Sequence, residues 1–316
     1  MEKLVVSTSP HLHSGASTQR IMLDVLIALA PAAIMGCVIF GWHALLVLLS
    51  TTAAAVLSEF VFNIIVKKEQ TISDLSAAVT GLLLGMNLRA DAPIWMCVIG
   101  AIFAIVVVKC LFGGLGCNFA NPAVTGRIFL LICFMDALGG GIAPNISNAP
   151  ELVSGATPLE ILKNGGDLPS LLDMLLGLRG GAIGETCGLA IIAGFIYLVV
   201  RRVIKFETPV IFVGTVFLLF LVKDGDLLLA TYQMLSGGLL LGAVFMATDY
   251  VTTPITRTGK MIFAFGCGLI TFLIRSFGGY PEGVSFAILF MNIISPYIEK
   301  WTKARPLGAK RGGAKK

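Results

Sequence analysis

The sequence predicts an all-α polytopic membrane protein of about ten transmembrane helices, arranged as two inverted five-helix repeats with short broken helices. Three observations predict it. Of 316 residues, 56% are hydrophobic and only 13% charged, against roughly 25% charge in a soluble domain, so the solvent for this chain is lipid. Apolar runs of helix length recur along the chain, separated by short polar stretches. Finally, stretches of the second half echo stretches of the first.

The runs fall at 21–40, 42–66, 75–88, 92–112, 122–138, 182–200, 208–222, 227–248, 260–275 and 284–300. A span needs about 20 apolar residues unless it is broken and lines a cavity. Segments 75–88 and 122–138 are short and bounded by Gly, Pro and Asn, the mark of half-helices. The echo is local and ordered: GLLLGMNLRADAPIW from Gly81 matches GLLLGAVFMATDYVTTP from Gly238, Phe112-Gly113-Gly114 matches Phe277-Gly278-Gly279, and Asn118-Phe119-Ala120 faces Ser285-Phe286-Ala287. Each half holds an odd number of spans, so the copies lie upside down relative to each other, with sites expected near the midplane. The division is an N-terminal segment 1–20, a first repeat 21–138, a polar loop 139–181, a second repeat 182–300 and a basic tail 301–316.

Orientation follows from lysine and arginine. With the N-terminus cytoplasmic, Lys67, Lys68, Arg201, Arg202, Lys205, Arg257, Lys260 and the tail are cytoplasmic too; 18 of 23 basic residues then lie inside, leaving Arg89, Lys163, Arg179, Lys223 and Arg275 outside. The loop 139–181 is accordingly extracytoplasmic. Seven of the cations fall between Lys300 and Lys316, which predicts a disordered arm at a membrane surface or an acidic partner. That tail supplies most of the +5 net charge, so a nucleic-acid partner is excluded. The start, MEKLVVSTSPHLHSG, lacks an apolar stretch with a cleavage site, and no signal peptide is expected. Trp42, Trp95 and Trp301 stand near span ends as interfacial anchors. The seven cysteines are scattered without a C-x-x-C pair and read as small buried hydrophobes; an iron–sulfur role for Cys110 and Cys117, the only close pair, is the alternative. No metal site is expected.

Ionisable groups at membrane depth are costly and usually functional, which singles out Glu59 and Asp249, although Asp249 also fits a helix end in water. Asn121-Pro122 and Asn292 read as caps of half-helices. Arg127 and Arg275 either meet a phosphate or acidic partner or cap helices, and His11 and His13 are solvated. In the loop stands Ser154-Gly155-Ala156-Thr157-Pro158-Leu159. It reads as a turn entering a helix, with Thr157 as N-cap, Pro158 at the first helical position and Glu160 completing a capping box. These residues supply no acid, base or metal ligand. They do supply an exposed hydroxyl on a small turn, which covalent modification requires.

SGATPL in the outer loop, GGLGCNFANPAVTGR at 113–127, FMATDYVTTP at 245–254 and GGYPEGVSFAILFMN at 278–292 together resemble the NqrB/RnfD family of membrane oxidoreductase subunits, over nearly the whole chain. The short start favours the RnfD branch, from the ferredoxin:NAD oxidoreductase (Rnf) complexes. The resemblance implies that Thr157 carries FMN through a phosphoester bond installed by a transferase, with Ser154, Gly155 and Ala156 as recognition surface and near wall of the flavin pocket. One position departs: the family pattern has Asp six residues before the modified Thr, and here Glu151 keeps the carboxylate on a chain one methylene longer. Implied partners are iron–sulfur and flavin subunits, including a second covalent-FMN subunit, and membrane lipid, in a prokaryotic cytoplasmic (inner) membrane. The implied function is electron relay between ferredoxin-side and NAD-side subunits, coupled to Na⁺ or H⁺ movement. A flavin exchanges one or two electrons, and the protein positions and tunes it. A hydrocarbon core of ~30 Å is too wide for one efficient hop, so a second, non-covalent flavin (riboflavin) is expected at the repeat interface, with Asn121 and Asp249 lining its pocket. The rival reading is an inverted-repeat channel or secondary transporter, urea-transporter-like, which has no use for a modifiable Thr.

Overall fold

The structure is a computed structural model describing residues 17–145, 154–164, 166, 168–279 and 282–303. Glu151, His11, His13, the Tyr280-Pro281 pair and the tail beyond Lys303 lie outside the described residues. The first half holds α1 (Thr18–Phe40), α2 (Trp42–Val66), α3 (Ser76–Met86), α4 (Ile94–Ile102, widening into a π-helical stretch Phe103–Cys110) and α5 (Pro122–Cys133), followed by the single turn α6 (Met135–Leu138). In the loop, β1 (Gly141–Ile142) pairs antiparallel with β2 (Ser154–Gly155), and α7 (Pro158–Asn164) and α8 (Leu171–Leu176) follow. The second half holds α9 (Gly188–Val200), α10 (Glu207–Asp224), α11 (Leu227–Leu235), α12 (Leu239–Leu241, widening into a π-helical stretch Gly242–Met246), α13 (Arg257–Phe277) and α14 (Val284–Thr302).

Helix starts are capped where the sequence offers a small polar side chain. Ser17 accepts the Arg20 N–H at 3.3 Å, Asp226 accepts from Leu228 at 2.8 Å and Thr256 accepts from Gly259 at 3.0 Å, each satisfying an orphan first-turn donor. Helices α1, α2 and α13 are long and apolar enough to cross a membrane by themselves, and α11 with the α12 stretch makes a fourth candidate, bent by 64°. The bend falls at Gly237, whose φ of 64° suits a residue without Cβ. Large apolar side chains such as Leu23, Ile34, Leu49, Ile65, Ile196 and Val222 stand exposed on the helix flanks, as lipid-facing positions require. Trp42, Trp95 and Trp301 are also exposed.

Within each half, α2 packs on α3 and α4, and α10 packs on α11 and α13; between halves, α1 packs on α9 and α5 on α14. Direction follows from two cavities at opposite ends of these helices. Ile21 and Met22 of α1, Ser76 and Val79 of α3, Asn121 before α5, Leu198 near the end of α9 and Asp249 beyond α12 line one cavity. Asn87 after α3, Arg127 in α5, Glu185 before α9, Gly237 before α12 and Ser285 at the start of α14 line the other, together with Thr157 of the loop. Helices α3 and α5 therefore run toward the loop, while α9, the α12 stretch and α14 run away from it. The two GLLLG stretches point in opposite directions.

Three readings of the sequence change. The run 182–200 becomes helical only at Gly188, because Gly181 to Cys187 fold back against the first half: Ile183 and Gly184 donate to the Leu88 and Met86 carbonyls at 3.0 and 2.7 Å. The run 122–138 breaks at Phe134. Asn292 caps nothing; it lies eight residues inside α14, 2% exposed, with both amide atoms unpartnered among the described residues.

Candidate functional site

The loop-side cavity is about 440 Å³ and has Thr157 in its wall. Thr157 sits in the expected capping box: its N–H donates to Glu160 Oε2 at 2.8 Å and its Oγ1 accepts the Glu160 N–H at 3.3 Å, with Pro158 at the first position of α7. The turn is held from behind by the β1–β2 pair, where Gly141 opposes Gly155 and Ile142 opposes Ser154, and Ile142 also bridges to Gly181. A Cβ on Gly141 would lie 2.6 Å from Thr157 Cγ2, so the hydroxyl reaches its place only because the facing strand has no side chain there. Ala156 is exposed beside it. At the rim, Arg89 pairs with Asp91 at 2.7 Å and also donates to the Gly139 carbonyl.

The cavity's deeper wall is ionic and joins the two halves. Arg127 of α5 donates to Asn87 Oδ1 at 2.8 Å and pairs with Glu282 at the foot of α14. Glu282 Oε1 accepts the Gly238 N–H at 2.7 Å. A Cβ on Gly238 would lie 2.7 Å from Glu282 Oε1, 3.3 Å from Arg127 Nη1 and 3.4 Å from Glu185 Oε2, so three charged side chains converge on one bare Cα. Behind them Arg275 of α13 donates to the Gln233 and Ser236 carbonyls at 2.5 and 3.0 Å, closing the end of α11. Arg179 donates to the Thr186 and Glu185 carbonyls at 3.2 and 2.7 Å. Burial works against the Glu282 charge, but Arg127, the Gly238 N–H and Arg275 together hold its carboxyl below the usual range. For Glu185, burial followed by the Glu282 charge pushes the pKa up to about 7.

The far-side cavity is about 100 Å³, room for roughly three waters at ~30 Å³ each. Asn121 caps α5, its Oδ1 accepting from Ala123 and Val124 at 3.0 and 3.3 Å, while its Nδ2 reaches across to the Met246 carbonyl at 3.3 Å. Asp249 accepts from Thr252 Oγ1 at 3.0 Å and Val251 N at 3.4 Å, pinning the turn after α12. Lys109 also lines this cavity. Its Nζ lies 2.9 Å from Glu59 Oε2, 3.0 Å from Oε1 and 2.6 Å from Ser76 Oγ, and Thr71 donates to Glu59 Oε1 at 2.7 Å. Both charges are 2% exposed, so each is tolerated only because the other is there.

Sequence reasoning locates Thr157, Gly155 and Ala156 on the loop turn, and Asn121 with Asp249 on one cavity. The two groups occupy opposite ends of the molecule. Arg127 belongs at the loop side with Arg89, whereas the charge count leaves it on the cytoplasmic side; six residues into α5, it already reaches Glu282. Sequence reasoning misses Glu185, Glu282 and Lys109. The signal available is an acid at the head of an apolar run, in GETCG and PEGVS, and a lysine inside one. Cys117 is exposed and Cys110 buried, and among the described residues no three His, Cys, Asp or Glu side chains group as metal ligands.

Apolar helices with exposed apolar flanks, two cavities between packed halves and a loop threonine in the wall of the larger of the two define a multi-pass helical membrane protein with an interior site. Comparison with known proteins specifies it. The model of the NQR2, RnfD, RnfE family matches residues 5–308, and the chain belongs to that family. It is 44% identical over 311 residues to the D subunit of the Na(+)-translocating ferredoxin:NAD(+) oxidoreductase complex of Acetobacterium woodii, covering 96% of this chain and 95% of that protein. It is 41% identical over 320 residues to the D subunit of the proton-translocating ferredoxin:NAD(+) oxidoreductase complex of Clostridium ljungdahlii (97% and 96%). It is 34% identical over 348 residues to the D subunit of the ion-translocating oxidoreductase complex of Escherichia coli (97% and 99%).

Proposed function

We propose that this chain is the membrane electron-transfer subunit of an Rnf-type ion-translocating oxidoreductase, carrying FMN as a phosphoester on Thr157 and relaying electrons between ferredoxin-side and NAD-side subunits. The observation that carries the reading is the position of Thr157, on a capped turn in the wall of a 440 Å³ cavity, a volume within the ~300–1,000 Å³ usual for cofactor sites. The residues fit the group: Ala156 and Gly155 leave the approach unobstructed, the apolar Leu131, Met135, Leu138 and Phe286 suit an aromatic ring, and Arg89 stands at the rim for a phosphate. When bound, a flavin supplies exchange of one or two electrons; the chain positions it, and the Arg127–Glu282 and Glu185 wall sets the field around it.

The architecture belongs to the same proposal: ten membrane segments as two inverted five-helix repeats, supported by the opposed directions of the echoing stretches. So does the orientation, with both termini cytoplasmic and the Thr157 loop outside, in a prokaryotic inner membrane. Iron–sulfur and flavin subunits are the electron partners, one of them a second covalent-FMN subunit. The relatives are named for sodium in one case and protons in another, so the coupled ion of this chain is Na⁺ or H⁺. A second, non-covalent flavin is assigned to the far-side cavity, which at 100 Å³ has to widen to admit one.

The test is in-gel fluorescence of the denatured chain together with its intact mass. The wild type is expected to fluoresce and to carry a flavin mass adduct, Thr157→Ala to lose both, and Thr157→Ser to keep part, since the same oxygen remains. An adduct persisting in the Ala variant overturns the attachment at Thr157, and a dark wild-type band purified from its complex overturns the covalent flavin.

A further inference from the structure

One group in the wall of the loop-side cavity has a carboxylate oxygen that no contact accounts for. Glu185 is 8% exposed. Its Oε1 accepts the Ala182 N–H at 3.0 Å, while Oε2 has no hydrogen-bond partner among the described residues and approaches the bare Cα of Gly238 at the cavity wall. None of the cations around it donates to Oε2, although the Nε of Arg275 has no partner among the described residues. Arg127, from α5, holds Asn87 and Glu282. Arg275, from α13, holds two carbonyls of the α11 end, and Arg179, from the preceding loop, holds the backbone of Glu185 and Thr186. The remaining acid facing it, Glu282 of the α14 foot, has both oxygens occupied. Farther along the wall, Arg89 is paired with Asp91 and Glu160 with Thr157. A buried carboxylate oxygen without a donor or cation is costly, and a proton removes the cost.

We propose that Glu185 is the proton-holding site of the loop-side cavity: its Oε2 carries a proton that it passes to, and recovers from, a redox group bound there, while Glu282 stays ionised against Arg127. The identity of that redox group rests on the flavin reading; the proton site itself does not. For each two electrons delivered into the cavity by a one-electron iron–sulfur or flavin donor, Glu185 Oε2–H gives up one proton to the group being reduced and becomes a carboxylate; on reoxidation the two electrons leave and the carboxylate takes the proton back. The carboxyl itself changes only its protonation. The elevated proton affinity of Glu185, caused by burial and by Glu282, agrees with this geometry.

Infrared difference spectroscopy on the full chain in its complex tests the proposal without relying on turnover. Raising the pH through about 7 is expected to remove a carboxylic-acid carbonyl band in the wild type; Glu185→Gln abolishes that change and Glu185→Asp keeps it. Glu282→Gln moves the transition to lower pH because the neighbouring charge is gone, and it carries the test if the Glu185→Gln variant misfolds. Reduced-minus-oxidised spectra should show the same band. A titrating band unaffected by Glu185→Gln, or none in the wild type, overturns the proton site. A band that titrates but ignores reduction, in protein shown by mass to carry the adduct, overturns the coupling to redox. A titrating band in protein without any adduct on Thr157 supports the proton site and sinks the flavin reading alone.

Discussion

The loop-side and far-side cavities both lie where the two halves of the chain pack, yet their charged side chains are disposed differently. At the loop side the halves meet through charge: Arg127 of the first half pairs with Glu282 of the second, and the space beside them is 440 Å³. At the far side the fully buried pair, Lys109 with Glu59, stays within the first half, and the halves are linked by Asn121 to the Met246 carbonyl and by Asp24 of α1, which accepts from Tyr197 of α9 and pairs with Arg201 at its end; the space there is 100 Å³. Both cavities carry charged side chains, Lys109 and Asp249 at the far side and Arg127, Glu185 and Glu282 at the loop side. What separates the two ends is burial of the pair: Lys109–Glu59 is 2% and 3% exposed, Arg127–Glu282 12% and 23%, and a pair cut off from water depends more on its partner.

The strongest way to break this contrast is at the far-side pair. Lys109→Met leaves Glu59 buried without its cation and is expected to cost ~3–5 kcal/mol, read as a fall in the denaturation midpoint of the detergent-solubilised protein; adding Glu59→Gln should recover much of the loss. Arg127→Met at the loop side should cost less, ~1.5–3 kcal/mol, because Glu282 keeps the Gly238 N–H and some water. Equal costs at the two ends would erase the distinction.

Next in size is a pH effect confined to the loop side. Folding raises Glu185 from its ordinary value of 4.5 to about 7. Between those values the folded state holds a proton that the unfolded chain has released, so stability falls as pH rises across that window and levels off above it. The total is about 3 kcal/mol at 1.36 kcal/mol per unit. Thermal melts from pH 4.5 to 7 should show this slope in the wild type and lose it in Glu185→Gln; an unchanged slope in the variant assigns it to other groups.

A smaller effect is expected from Asn121→Leu, which removes the α5 cap and the cross-half donor, for ~0.5–2 kcal/mol. It should also lower any acid-extractable flavin while leaving the Thr157 adduct intact. Loss of the covalent adduct in this variant would mean that the two ends are not independent. The mildest change asks only which end faces out. A cysteine at Lys163 should react with a membrane-impermeant thiol reagent from outside intact cells, and one at Lys205 should not, with no change in stability for either. The reverse pattern would invert the orientation of both cavities.

What the sequence determined by itself is what neighbouring residues decide. Run length and hydropathy are local, so the helix bounds fall within a few residues of the apolar runs in most cases. The Thr157–Glu160 box and the Asn121 cap were equally legible, because each closes a ring within three residues along the chain. The tertiary structure decided everything that depends on a distant partner. Glu59 reads as an isolated ion in the sequence; its counter-charge, Lys109, is fifty positions away and arrives only when α2, α3 and the end of α4 pack. Arg127 and Glu282 are 155 positions apart and meet only because the second half runs against the first. Arg275, open in the sequence between a phosphate and a helix end, proves to close α11. Glu185, hidden inside what read as a span, became a cavity residue when its segment folded back onto Met86 and Leu88. Electrostatic partners are chosen by three-dimensional proximity in a low-dielectric interior, a quantity that local pattern does not encode.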